Sequence, residues 1–293
     1  MSAAGPPQGT RPPGETARSD APGETSAAGP LVAANDDESY VLRETRDGVA
    51  TLTLNRGERY NALSQAMIAT LHAELDRIGS DDSVRSVVLA ARGKGFCAGH
   101  DLKELRAHGD IEWQRALFGA CNELMLAFTR LRQPVIARVH GLATAAGCQL
   151  VSMCDLAVAA DGARFALPGV NVGVFCTTPA VGVARNVARK RVMEMLLTGE
   201  PVDAATALDW GLVNRVVPLA RLDEAVAEFT TAIGKRSAQV IAAGKQAFYR
   251  QVDLGLAPAY EFAGARMADS LVSPEAHEGI DAFVAKRPPE WTR

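Results

Sequence analysis

Apolar positions recur along this chain with two different periods. Val41–Thr45 and Val49–Asn55 are short apolar runs on either side of Asp47-Gly48, a pair that suits a two-residue type I′ turn, so they predict an antiparallel hairpin. The period then lengthens. Met67, Ile68, Leu71, Leu75 and Ile78 fall on one helical face, with Ser64 placed as the N-cap and Gly79 as the end. Val84–Ala90 reads as a buried strand, and a second helix starts near Asp101. Leu117, Cys121, Leu124 and Phe128 mark the buried face of a third helix, which Pro134 closes. The strand signal returns at Val135–Val139, Leu156–Ala160 and near Phe165, with a helix from about Gly147 in between. This alternation predicts an α/β fold of stacked β–β–α turns, although no exact sequence repeat is visible.

From Pro179 onward the pattern is helical: Pro179–Lys190, Val192–Thr198, Asp203–Trp210, Leu222–Gly234, Ala238–Asp253, Pro258–Leu271 and Pro274–Lys286, with one strand at Val213–Val217. The expected organisation is an α/β core over residues 39–197 and a helical region over 198–293. That region would pack on its own core or on a neighbouring subunit. Residues 1–38 are rich in Pro, Gly, Ala, Ser and Thr without an apolar period, and are expected to be a disordered tail. Arg11 and Arg18 stand there against six acidic residues, with no apolar stretch, so neither a secretory signal nor a presequence is expected. The expected compartment is the cytoplasm.

Composition narrows the function. With 47% hydrophobic and 22% charged residues the 293-residue chain is an ordinary globular protein, which excludes wholesale disorder. Thirty-one Lys and Arg against 34 Asp and Glu leave a formal charge of −3, so there is no basic surplus for nucleic acid. Val139–Cys154 and Phe165–Ala184 are uncharged, but His140, Gln149, Asn171 and two prolines make them buried core rather than membrane spans. Cys97, Cys121, Cys148, Cys154 and Cys176 are dispersed, with no C-x-x-C, which fits a reducing compartment and no metal site.

Two segments share one design, a buried strand, a loop of small residues and a helix start: Val84–Ala90 into Gly93–Asp101, and Val135–Val139 into Gly141–Gly147. Helix starts present unpaired N–H groups, so two of them meeting would form an anion or oxyanion site; the small residues would equally serve close packing alone. The glycines at 93, 95 and 99 read G-x-G-x-x-x-G, which is not the dinucleotide fingerprint, and no P-loop occurs.

The run Leu54-Asn55-Arg56 through Asn61-Ala62-Leu63-Ser64, then Phe96-Cys97-Ala98-Gly99-His100-Asp101-Leu102, Pro134–Ala137, Ala145–Leu150 and Cys154-Asp155 resembles the enoyl-CoA hydratase/isomerase (crotonase) superfamily. Within it, Gly99–Leu105 and Ala143–Gln149 look most like the enoyl-CoA hydratase domain-containing protein 3 subgroup. The resemblance spans about Tyr40 to Arg287. It implies a ββα spiral core, a C-terminal helical trimerisation region, and a homotrimer or a hexamer made of two trimers. It also implies an acyl-CoA thioester as partner, with coenzyme A as part of the substrate and no covalently bound cofactor. The thioester oxygen would be held by the backbone N–H groups of His100 and Ala146, while His100, Asp101, Leu102 and Lys103 line the substrate. Arg56, Ala62 and Leu63 would run along the CoA moiety, and Phe283 and Lys286 match positions near its nucleotide end.

The pattern departs from its hydratases where two glutamates should stand, since those positions read Gln149 and Gly169 and a third acidic position falls near Thr177. An amide orients water but accepts no proton, and Gly offers no group. Loss of acid–base help costs about 10²–10⁴-fold per function, so efficient hydration by that route is not expected. Candidate substitutes are the His100 imidazole, Cys176, Thr177, Asp101 and Glu104. Each also has a structural reading: Asp101 and Glu104 as first-turn acids, Thr177 and Thr178 as a cap before Pro179, and Cys148 and Cys176 as small buried hydrophobes. His72, His108 and His140 are assigned structural roles. The expected function is acyl-CoA binding with enolate-type chemistry, nominally trans-2-enoyl-CoA hydration with Gln149 orienting water. The alternatives are a binding or regulatory protein with little turnover, or another CoA-thioester reaction such as hydrolysis.

Overall fold

The computed structural model describes residues 39–292, so the tail expected over 1–38 lies outside the described residues. Strands β1 (Val41–Arg46) and β2 (Val49–Leu54) pair antiparallel from Val41–Leu54 to Arg46–Val49. Asp47 and Gly48 between them take φ of 51° and 75°, as a type I′ turn demands. Helix α1 (Gln65–Gly79) starts on the Ser64 hydroxyl, which accepts from Met67 N–H at 3.2 Å. It buries the five apolar residues that share its face.

The chain then makes a repeated course. β3 (Ser86–Ala91) leads to β4 (Gly95–Cys97) and helices α2 (Leu102–Ala107) and α3 (Ile111–Arg130). β5 (Val135–Val139) leads to β6 (Leu142–Thr144) and α4 (Ala146–Met153). β7 (Leu156–Ala160) leads to β8 (Arg164–Ala166), a 3₁₀ turn at Pro168–Val172 and α5 (Thr177–Val183). α6 (Arg189–Thr198), β9 (Val202–Asp203), α7 (Ala204–Asp209) and β10 (Arg215–Val217) follow.

The first strand of each course enters a six-stranded sheet, ordered β1-β2-β3-β5-β7-β10, and the second a four-stranded sheet, ordered β4-β6-β8-β9. Pairing is parallel except for β1/β2 and β8/β9. β4 and β6 occupy stretches expected to be loops. Three residues, one of them glycine in β4, are too few to show an alternation. The helix expected over Pro179–Lys190 is also shorter, because Asn186 turns its side-chain amide onto Ser152 O and Gly182 O, both at 3.0 Å, just past the end of α5.

One core lies between the large sheet and α1, α3 and α4; Leu52, Leu54, Leu89, Phe96, Phe128 and Phe165 in it are fully buried. α8 (Leu222–Gly234) covers the sheet's other face, setting Leu222, Ala225 and Val226 against Val88, Ile136 and Val158. α9 (Ala238–Gln251) is tied down by Lys245, whose ammonium donates to Phe128 O, Gln133 O and Asp155 Oδ2 at 2.7–2.9 Å. α10 (Leu256–Leu271) and α11 (Pro274–Val284) are sparsely covered and expose Tyr260, Met267, Phe283 and Val284. Among the described residues no helix is long and apolar enough to cross a membrane.

Candidate active site

The two strand–loop–helix segments are locked together at their tips. Ahead of α2, Leu63 N–H donates to Gly99 O at 2.8 Å and Leu63 O accepts from Asp101 N–H at 3.3 Å, forming a parallel bridge between Leu63 and His100. In such a bridge the N–H of the bracketed residue, His100, faces away from Leu63. In the other segment Ala145 takes φ 49° and ψ −120°, its N–H donates to Ala166 O at 2.9 Å, and α4 begins at Ala146. Among the described residues no side chain caps α4, which leaves first-turn N–H groups without a capping acceptor.

The tips touch through glycines. A Cβ on Gly99, which has φ 88°, would stand 2.8 Å from Ala145 Cβ and 3.2 Å from Ala146 N. One on Gly147 would stand 2.1 Å from Cys97 O. Thr144 Oγ1 adds a bond to Ala98 O at 3.0 Å. Close packing and the meeting of the two helix starts are therefore the same event, because only small residues let the second segment come so near the first.

The buried side chains at 100, 148, 149 and 176 are uncharged. His100 lies 4.9 Å from the Phe118 ring, and its Nε2 is buried with no partner among the described residues. Burial pulls its pKa down to about 4, so the imidazole is neutral at physiological pH. Gln149 is only 4% exposed and its Oε1 likewise has no partner among the described residues. Gly169 sits in the 3₁₀ turn, where a Cβ would come within 2.8 Å of Val174 O and 2.9 Å of Cys176 Sγ, and its N–H donates to that sulfur at 3.3 Å. Burial raises the pKa of Cys176 and pushes that of Cys148 up to about 12. Both are protonated thiols, as a small buried hydrophobe would be, and not thiolate nucleophiles.

The other candidates are placed as follows. Asp101 caps α2, its Oδ1 accepting from Lys103 N–H at 2.9 Å and Glu104 N–H at 3.2 Å, and Glu104 accepts from Gln65 N–H at 2.9 Å. Leu102 and Lys103 are exposed on that short helix. The cap expected of Thr177 and Thr178 is not made, since Thr177 is already the first residue of α5 and Cys176 is the N-cap. Arg56 lies 4.1 Å over the Tyr40 ring and donates to Ser39 O, while Leu63 is buried. Phe283 is 85% exposed at the end of α11, and Lys286 follows it in a left-handed conformation. His108 stacks on Trp113 at 4.1 Å, His140 Nε2 meets Gly93 O at 2.9 Å, and His72 lies 4.0 Å from Asp76. One residue escaped the sequence reading: Asn61 is fully buried with φ 52°. Its signal was an Asn, a residue that tolerates the left-handed region, inside the Arg56–Leu63 motif.

The enoyl-CoA hydratase/isomerase family profile matches residues 44–293. The Rattus norvegicus protein named enoyl-CoA hydratase domain-containing protein 3, mitochondrial, is 41% identical over 92% of this chain and 89% of its own length. The Homo sapiens counterpart is 42% identical over 84% of this chain and 81% of its own. Among solved structures, an enoyl-CoA hydratase of Mycobacterium smegmatis superimposes with TM-score 0.85 and 52% identity, covering 87% of this chain and 99% of that one. The human domain-containing protein 3 gives TM-score 0.84 and 41% identity over 86% and 100%. The cytoplasmic expectation is overturned, since the rat and human relatives are named mitochondrial. By profile, sequence and structure, this chain belongs to the enoyl-CoA hydratase/isomerase family and has the crotonase fold.

Proposed function

We propose that this protein binds an acyl-CoA thioester and stabilises enolate-like charge on its carbonyl oxygen through the N–H groups of His100 and Ala146. The observation that carries this is the contact of Gly99 with Ala145 and Ala146, which seats the His100 segment on the uncapped start of α4. Backbone donors fixed before the ligand arrives need no reorganisation when charge develops, which is what makes an oxyanion hole effective. Gln149 Oε1 and His100 Nε2, buried without a partner among the described residues, suit a water molecule or a polar atom of the ligand. Arg56, Ala62 and Leu63 lie along the CoA moiety in this reading, with Asp101, Leu102 and Lys103 at the acyl side.

A second reading, binding with little hydration, is favoured by one observation: Gly169 has no room for a side chain, so the carboxylate that would share proton delivery is excluded by packing as well as by sequence. Assembly as a trimer or a pair of trimers belongs to the same proposal, with the apolar faces of α10 and α11 as the surfaces to be covered. Loss of enoyl-thioester absorbance with crotonyl-CoA and a longer 2-enoyl-CoA, beside calorimetric binding of the same compounds, tests both readings. Turnover supports hydration, binding without turnover supports the second reading, release of free CoA points to hydrolysis, and no binding refutes the proposal.

A further inference from the structure

We infer that Asn61 is a positioning residue for the His100 N–H, an inference that rests on the reading of that group as an oxyanion donor. Every polar atom of Asn61 is spent inside the protein. Its Oδ1 accepts from Arg56 N–H at 2.9 Å, and its own N–H donates to Arg56 O at 2.9 Å. Its amide Nδ2 reaches Arg92 O at 2.9 Å, Gly95 O at 3.1 Å and Phe96 O at 3.0 Å. Its carbonyl accepts from Cys97 Sγ at 3.2 Å. One fully buried residue thus grips the Arg56 segment on one side and β4 on the other.

The grip continues into the donor. Tyr60 O accepts from Ala98 N–H at 2.9 Å, and Leu63 brackets His100 through Gly99 and Asp101. Residues 60–63 are therefore a template against which 95–101 is laid, and His100 N–H takes its direction from that template. The left-handed φ of 52° at Asn61 is what turns its amide back onto three carbonyls while the next residues run alongside Gly99–Asp101. A carbon side chain would leave those carbonyls without their donor, and a misplacement of the donor by about 1 Å is enough to weaken a preorganised site.

The test is the near-ultraviolet band of hexadienoyl-CoA bound to the full chain, which moves to the red when a carbonyl donor pair polarises the conjugated thioester. Asn61→Gly keeps the backbone conformation and removes the amide. The folded variant, checked by circular dichroism, is expected to bind the probe with most of the red shift lost. Asn61→Asp presents a carboxyl to the same carbonyls. Its red shift is expected in acid, where the protonated group still donates, and is lost as pH rises and the carboxylate opposes them. A full red shift in folded Asn61→Gly, or one independent of pH in Asn61→Asp, overturns the inference; if Asn61→Gly fails to fold, the pH profile of Asn61→Asp decides alone. A wild-type protein that binds the probe without any shift instead overturns the oxyanion reading itself.

Discussion

A methyl group added at Gly169 is the sharpest test of how the lost carboxylate site was filled. Its φ is not in the left-handed region, so the cost of Gly169→Ala is steric: the new Cβ would stand 2.8 Å from Val174 O, 2.9 Å from Cys176 Sγ and 3.1 Å from Cys176 N. Two of those atoms are backbone, in the segment that leads into α5, so they cannot rotate away. Overpacking of this kind costs about 1–3 kcal/mol, and for a domain of this size each kcal/mol lowers Tm by roughly 2–4 °C. Gly119→Ala, on the exposed face of α3 with nothing within 4 Å of its Cβ, is the control and should gain about 0.5–1 kcal/mol. Adding Cys176→Ala should recover only part of the loss, since the Val174 O contact survives. Scanning calorimetry of the four proteins reads the effect directly. Gly169→Ala at least as stable as wild type would refute the steric argument. The same packing predicts that a Gln149→Glu/Gly169→Glu protein gains no hydratase activity, because the second glutamate cannot be seated without displacing residues 174–176.

Lys245→Met should cost about 3–5 kcal/mol in urea unfolding, because it strips Asp155 of its cation in a nearly dry site, and Lys245→Met/Asp155→Asn should recover much of that. Ala145→Gly should stabilise the protein by about 1 kcal/mol, by relieving a non-glycine residue at φ 49° and ψ −120°; a lower Tm would show that its Cβ packing outweighs the strain. The pKa of His100 falls from 6.5 in the unfolded chain to about 4 in the fold, so the unfolded state binds the extra proton between those values. Stability held above pH 6.5 is therefore lost as pH drops toward 4, on the order of 3 kcal/mol, and His100→Phe should flatten that part of the stability–pH curve.

What could be read from the sequence followed the strength of each local signal. The hairpin at Asp47-Gly48, the cap at Ser64 and the buried faces of α1 and α3 were all legible, because each is dictated by residues within one turn or one period. β4 and β6 were not, being three residues long and held by each other and, for β6, by β8, all distant in sequence, rather than by their own pattern. The two loops could be singled out by their small residues, but their contact could not: that Gly147 sits against Cys97 O is a property of the folded chain. Glu104 could be assigned to the first turn of α2, whereas Asp101 stands one step earlier as its N-cap, and α5 starts at Thr177 with Cys176 ahead of it rather than with a threonine cap. The neutrality of His100 depends on burial against Phe118, eighteen positions away, and was equally out of reach.

In the proposed reading the site pairs fixed backbone donors with buried side chains that carry no charge, and this constrains any chemistry performed there. A neutral imidazole with pKa near 4, protonated thiols, an amide at 149 and no side chain at 169 offer, among themselves, no group that changes protonation between pH 5 and 8. An oxyanion hole contributes about 10²–10³-fold for each donor, and acid–base assistance about 10²–10⁴-fold for each function, so keeping the first without the second leaves a slow reaction, not an absent one. If the proposed donors act in this way, protons come from and go to water. The consequence is a turnover rate that is low and flat from pH 5 to 8, where an enzyme with a titrating glutamate or histidine would show a limb. A bell-shaped profile centred in that range would mean that a residue outside this set supplies the proton, and would send the search for it to the exposed acyl side of α2.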